Sequence, residues 1–378
     1  VRIAFFVSSL GDTDLAKATI STLIEQKSTD VIFVIPLTTT AIDRIQDLKG
    51  HKVITTVSLN EITNQAGSLV KDTISKQEAE SIKLFLDKNG MQHAYIGVPS
   101  SNNEIPYQLA NELTIPFTFV YEYMFKPEKH CFWSYVEKLA SKENCDFAVP
   151  LTPAKTNILE INSKAKIQEI GHLSIDRSQE VNATDSTQIK KSLLVTVEAE
   201  LIFISGTTQP TELDNQFLDV LLKEISTGKY PNLQLRMGIH PGVKDPDSYL
   251  QALLNTCDKY SKANDQFKII LTTQIEKRLQ RDIPTNSFIL RSEISGSDAA
   301  QAADKITQAV PGALLNEAAL KGKPCYFHEK SATPYLPKTW FSDSLAAFFT
   351  AKPKASRSRE ELGLQDTAPN LLAKLLTK

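Results

Sequence analysis

Residues 310–327 read VPGALLNEAALKGKPCYF. A Pro-Gly pair precedes a short run of helix formers, Gly322 ends the run, and after Lys323-Pro324 the chain resumes as the apolar Cys325-Tyr326-Phe327. A glycine opening a helix that leads into a strand is the repeating unit of α/β domains. The helix start also offers N–H groups without intrahelical partners and the positive end of the helix dipole. The stretch therefore predicts loop, helix and strand of an α/β fold, with anion binding at Gly312 set against a purely architectural role.

The same alternation runs outward along the chain. The apolar runs RIAFFVSS, DVIFVIPL, HAYIGVP, PFTFVYEYMF and DFAVPL are separated by amphipathic stretches. Continuous apolar strands between helices predict βαβ units whose parallel sheet is covered on both faces, with ligands beyond the carboxyl ends of the strands. Residues 166–188 turn polar and mark a connection. The pattern restarts with LIFISGTT, NLQLRMGIHPG, FKIILTT and SFILRS. At 378 residues the chain exceeds what one core usually supports. The expected division is a first domain over 1–180, a linker over 181–198, a second domain over 199–340 and C-terminal helices over 341–378.

Composition narrows the function classes. Hydrophobic content of 41% with 23% charged residues is ordinary for a globular protein, and no run approaches the roughly 18 apolar residues of a membrane span. Peripheral membrane contact is left open. The start, VRIAFFVSSLGD, reads as a buried strand, not a signal peptide. Cys131, Cys145, Cys257 and Cys325 have no CxxC spacing, which argues against a zinc site or a disulfide scaffold and for a reducing compartment. The expected location is cytoplasmic, with export by a route lacking a classical signal left open. Net charge is −2, and the one basic run, AKPKASRSREE, reads as a solvated linker, so nucleic acid is not an expected partner. Neither a G-x-S-x-G elbow nor a Walker loop is present.

Several segments in order carry a resemblance. Ala303-Asp304-Lys305-Ile306, Pro311-Gly312-Ala313, Asn316-Glu317-Ala318-Ala319 and Gly322-Lys323-Pro324 follow one another. Ser205-Gly206-Thr207-Thr208 and Met237-Gly238-Ile239-His240-Pro241-Gly242 precede them. Together these resemble the GT-B fold glycosyltransferase superfamily, with nearest echoes in lipid-A-disaccharide synthase, the peptidoglycan GlcNAc transferase and the capsule-type transferases. The resemblance implies two doubly wound Rossmann-like α/β domains facing across a cleft. It further implies metal-independent sugar transfer from a nucleotide-sugar donor, UDP-sugar favoured, to an unidentified glycan, lipid or protein acceptor. No cofactor is expected. A UDP-hexosamine epimerase of the same architecture and a non-catalytic binding protein are the alternatives. No motif specifies an oligomeric state.

The candidate residues follow from the chemistry. A departing phosphate is stabilised by prearranged N–H dipoles, which glycine loops at helix starts supply and threonine hydroxyls extend. On the donor side these are Gly206, Thr207 and Thr208, then Pro311, Gly312, Ala313 and Asn316. The resemblance adds Glu317 for ribose hydroxyls, against a reading as a local helix partner. His240 is placed to donate to phosphate or shuttle a proton, and Arg291 to meet phosphate or base. In the first domain the loop Ser8 to Asp14 lacks the histidine that many relatives place there. Asp12 and Asp14 are the ionisable candidates for the catalytic base, Asp12 being the expected one, with capping of a helix beginning at Leu15 as the competing role of either. Gly11, Asp14, Ser101 and Glu122 complete an acceptor side. The aromatic stretch of Tyr121, Tyr123, Phe125, Phe132 and Trp133, with His130, reads as acceptor lining or core. Asp12-Thr13-Asp14 and Asp245-Pro246-Asp247 match a metal-binding Asp-x-Asp pattern, although capping explains the second better, and no metal is expected to be required.

Overall fold

The computed structural model describes the chain except residues 65–71, 98–102, 124–132, 181–184, 208–209, 282, 284, 333 and 335. It divides into two compact units, Val1–Asp176 with Arg359–Lys378, and Arg177–Ser358.

The first unit holds a seven-stranded parallel sheet. Its strands are β1 (Arg2–Val7), β2 (Val31–Pro36), β3 (Ile54–Thr56), β4 (His93–Gly97), β5 (Phe117–Val120), β6 (Cys145–Val149) and β7 (Lys166–Glu169), in the spatial order β3-β2-β1-β4-β5-β6-β7. Because side chains alternate across a strand, β1 feeds two cores at once. Ala4 and Phe6 join one apolar cluster, while Ile3, Phe5 and Val7 join another. That double burial is why the strand reads as an unbroken apolar run. The sheet order reverses between β1 and β4, where the carboxyl ends of the strands leave a natural ligand position.

The second unit repeats the plan with β8 (Glu200–Ser205), β9 (Leu233–Gly238), β10 (Phe267–Leu271), β11 (Ile289–Arg291), β12 (Lys305–Gln308) and β13 (Cys325–Phe327). All pairs are parallel, in the order β11-β10-β9-β8-β12-β13. The stretch 310–327 forms its expected parts: Gly312 precedes the helix Ala313–Leu320, which leads into β13.

Three expectations about organisation change. The polar stretch 166–188 contains β7 and the helix Leu173–Gln179, because an edge strand exposes one margin and tolerates polar residues. The segment 181–198, expected as a linker, contains the helix Ser186–Ser192, which is fastened to the second unit. Lys190 Nζ lies 2.7 Å from Asp304, and the buried Arg236 donates to the carbonyls of Leu193 at 2.6 Å and Leu194 at 2.8 Å. The residues expected as terminal helices divide between the units. Leu345–Thr350 buries Phe348 and Phe349 in the second core, whereas Ala368–Leu376 belongs to the first unit and packs against the helix Leu10–Glu25. Its stripe of Ala368, Leu372, Ala373, Leu375 and Leu376 is buried, and Asp176 accepts a hydrogen bond from the Ala368 amide at its start, 2.9 Å away.

No helix of the described residues is long and apolar enough to cross a membrane. Cys145, Cys257 and Cys325 are free and buried, and Cys131 lies outside the described residues.

Candidate functional site

In the first unit the chemistry gathers where β1, β4 and β5 end. The helix Leu10–Glu25 starts five residues earlier than expected, and Ser9 caps it by accepting a hydrogen bond from the Asp12 amide. Asp12 is therefore not the N-cap. Its carboxylate turns back toward the end of β1, accepting from the Ser8 amide at 3.1 Å, Ser9 Oγ at 3.1 Å and Thr13 Oγ1 at 3.3 Å. Tyr95 of β4 donates to the Asp12 carbonyl at 2.9 Å. Asp12 is fully buried, and desolvation pushes its pKa up to about 7 against the pull of these hydrogen bonds.

Glu122 follows β5, and its carboxylate lies against Gly11. Burial, then repulsion from Asp12 and Asp14, pushes its pKa up to about 8. Glu122 is only partly buried, whereas Asp12 has no exposed surface. Asp12, expected as the base, is tied by hydrogen bonds into the turn, and its charge favours the protonated form of Glu122, the less deeply buried residue of the two. Asp14 turns to the Arg44 guanidinium, with contacts of 2.6 and 3.1 Å, while its charge still bears on Glu122. That divergence also separates the two carboxylates of Asp12-Thr13-Asp14. In the second Asp-x-Asp, Asp245 caps the helix Pro246–Asp258 and Asp247 pairs with Arg281. Among the described residues no group of three or more His, Cys, Asp and Glu is placed to hold a metal ion.

Of the expected acceptor side, Ser101 lies outside the described residues, as do Phe125, His130 and Phe132. Tyr121 and Trp133 are buried in the core, their rings 6.1 Å apart, so this part of the aromatic stretch is packing.

In the second unit a polar group forms at the ends of β8, β9, β12 and β13. The Gly206 amide donates to the Gly238 carbonyl at 2.9 Å. A Cβ on Gly206 would stand 2.8 Å from that oxygen and 3.0 Å from the Tyr249 hydroxyl, so only glycine fits. The Thr207 amide and the Tyr249 hydroxyl both donate to Asp214 Oδ2, each at 2.7 Å. Thr207 Oγ1 is buried with no hydrogen-bond partner among the described residues, and Thr208 lies outside them. His240 accepts from the Gly242 amide through Nδ1 at 2.9 Å, and burial lowers its pKa. With Nδ1 accepting, the ring carries its proton on Nε2, which suits donation to an anionic oxygen.

At the end of β12, Gln308 Oε1 accepts the Gly312 amide at 2.8 Å, so the loop of Pro311, Gly312 and Ala313 is braced by a side chain that sequence reading passed over. Asn316 is fully buried, donates to the Gly312 carbonyl at 2.8 Å, and leaves Oδ1 without a partner among the described residues. Glu317 is bound to Arg177 at 3.3 Å, and burial nevertheless outweighs the pull of the guanidinium and raises its pKa. Arg291 is removed from this group: it ends the edge strand β11, three strands from β8, and pairs with Glu276 at 2.9 Å. Sequence reading also missed Asp214 and Tyr249, whose only linear signal is a place in the first turns of the two helices that follow glycine loops.

No family model and no curated protein matches the chain. Solved structures do match. The UDP-GlcNAc 2-epimerase of Methanocaldococcus jannaschii, in complex with UDP-GlcNAc and UDP, is 14% identical, with 100% of this chain and 99% of that one covered and a TM-score of 0.62. The UDP-GlcNAc 2-epimerase of Neisseria meningitidis bound to UDP-GlcNAc is 12% identical, with 100% of both chains covered and a TM-score of 0.58. A glycosyltransferase of Rickettsia africae is 13% identical, with 86% and 78% covered and a TM-score of 0.54. At these identities the fold is what is shared: a two-domain α/β architecture of the GT-B type, with two parallel sheets and interleaved helices.

Proposed function

We propose that this chain is a nucleotide-sugar enzyme in which the second unit supplies nucleotide-binding groups and Glu122 of the first supplies proton transfer. The observation that carries the proposal is the Asp12–Glu122 pair. Two carboxyl groups held together at the ends of β1 and β5, with pKa values pushed up to about 7 and about 8, are costly to bury and are tuned toward the pH at which a general base or acid works best. In sugar transfer Glu122 takes the proton of an acceptor hydroxyl as that oxygen bonds to the anomeric carbon and the nucleotide leaves. Within the second unit, the groups around Thr207, His240 and Gly312 are the ones suited to a nucleotide phosphate. UDP is the favoured nucleotide, the acceptor is a hydroxyl-bearing glycan, lipid or protein, and no metal is required.

Epimerisation of a UDP-hexosamine is the second reading: inverting a carbon needs a group that moves a proton, and Glu122 with its raised pKa supplies one. The structural likeness to epimerases of 14% and 12% identity is consistent with it. The experiment is a thermal-shift panel of UDP-, GDP-, CMP- and ADP-sugars, followed by NMR of the products formed from the stabilising donor. Release of free nucleotide with a new glycosidic bond supports transfer, and a stereoisomer of the input sugar supports epimerisation. A flat panel sinks both and leaves a non-catalytic fold.

A further inference from the structure

We infer that Asp214 and Tyr249 are positioning residues that hold Thr207 ready for an anionic oxygen of the nucleotide, an assignment resting on the nucleotide-sugar reading above. Asp214 does not cap its own helix. It sits in the helix Thr211–Ile225 with its acceptor oxygen turned back across Pro210 to the Thr207 amide, 2.7 Å away. Tyr249 reaches the same oxygen from the neighbouring helix Pro246–Asp258, also at 2.7 Å, and its hydroxyl borders the space beside Gly206. The Gly206 amide is fixed in turn to the Gly238 carbonyl. Three elements thus hold the Gly206–Thr207 turn: the end of β9 and the two helices after β8 and β9.

A carboxyl group that is 98% shielded from solvent is costly unless something recovers the cost. Local satisfaction accounts for Asp214 itself but not for its neighbour. The Thr207 hydroxyl is buried and without a hydrogen-bond partner among the described residues; it pulls on the Asp214 carboxyl without reaching bonding geometry. A buried hydroxyl left open on a turn this tightly held is a group whose partner arrives with the ligand. The brace keeps the turn from rearranging when that ligand is absent, so binding does not have to order it.

Calorimetric titration of the full chain with UDP, GDP, CDP and ADP tests this, with Thr207→Val, Asp214→Asn, Tyr249→Phe and the Thr207→Val/Asp214→Asn double variant. Expected is a loss of about tenfold or more in affinity for Asp214→Asn and for Thr207→Val. The double variant should lose little more than Thr207→Val alone, because Asp214 acts through Thr207. Tyr249→Phe, which removes one hydroxyl and no packing, should lose affinity in the same direction while still unfolding in one cooperative transition at a somewhat lower temperature. Wild-type affinity in Asp214→Asn and Tyr249→Phe, or additive losses in the double variant, overturns the positioning role while leaving the nucleotide reading intact. A wild-type chain that binds none of the four nucleotides overturns both.

Discussion

The Asp12 carboxylate lies against the backbone of Gly97 so closely that a methyl group on that glycine would overlap it. The end of β4 thus has to be bare for the β1 turn to fold its carboxylate inward. Gly97→Ala is expected to expel Asp12 or distort the turn, costing about 2 to 4 kcal/mol, the range for overpacking joined to a broken buried network. Denaturant unfolding measures it, and a variant as stable as wild type would show that Asp12 has another place to go.

Stability should depend on pH through Glu122. Its folded pKa of about 8 lies above its ordinary value of 4.5, so the folded chain holds a proton that the unfolded chain has lost between those values. The contribution is complete below about pH 4.5 and is lost as pH rises toward about 8. Glu122→Gln is therefore expected to be more stable than wild type at pH 8, by roughly 1 to 3 kcal/mol, with the difference vanishing near pH 4. Melting curves across that range check it, and a difference independent of pH would remove the shifted carboxyl group.

The two readings of the reaction predict opposite limbs in the rate. If Glu122 is the base of a transfer, kcat/KM rises as pH increases through about 8; if its protonated form is required for epimerisation, kcat/KM falls over the same interval. In both cases Glu122→Gln should reduce turnover by at least about a hundredfold while donor binding persists. Initial rates with saturating and trace donor distinguish the outcomes.

Glu317 has two partners to choose between, a ribose hydroxyl and Arg177. Contact with ribose requires Glu317→Ala to weaken UDP binding by roughly 1 to 3 kcal/mol and Arg177→Ala to leave it nearly unchanged. Calorimetry on both variants decides. Equal affinity in Glu317→Ala, with a lower melting temperature, assigns Glu317 to the ion pair alone.

The last helix is a structural part of the first unit, not an appendage. Leu372 has no exposed surface, and Leu372→Ala is expected to cost about 2 to 5 kcal/mol, as for other leucines deleted from a packed core. Chemical denaturation reads the loss, and a change below about 0.5 kcal/mol would place the helix elsewhere in solution.

The sequence by itself determined the two wound sheets and the loop, helix and strand of residues 310–327, because strands buried on both faces must be apolar throughout and glycines must mark the turns between elements. These are local rules, and RIAFFV or FKIILTT state them without help from distant residues. It could not determine that Ala368–Leu376 belongs with the first unit, since an amphipathic stripe records that a face is buried and not what buries it. Nor could it rank Asp12 against Glu122. A carboxylate behaves as strut or proton carrier according to its burial and its neighbours, and those were decided only when β1, β4 and β5 brought Ser8, Gly97 and Glu122, distant from one another in the chain, to one end of a sheet. The same holds for Asp214, which gained its meaning when two helices met over Gly206.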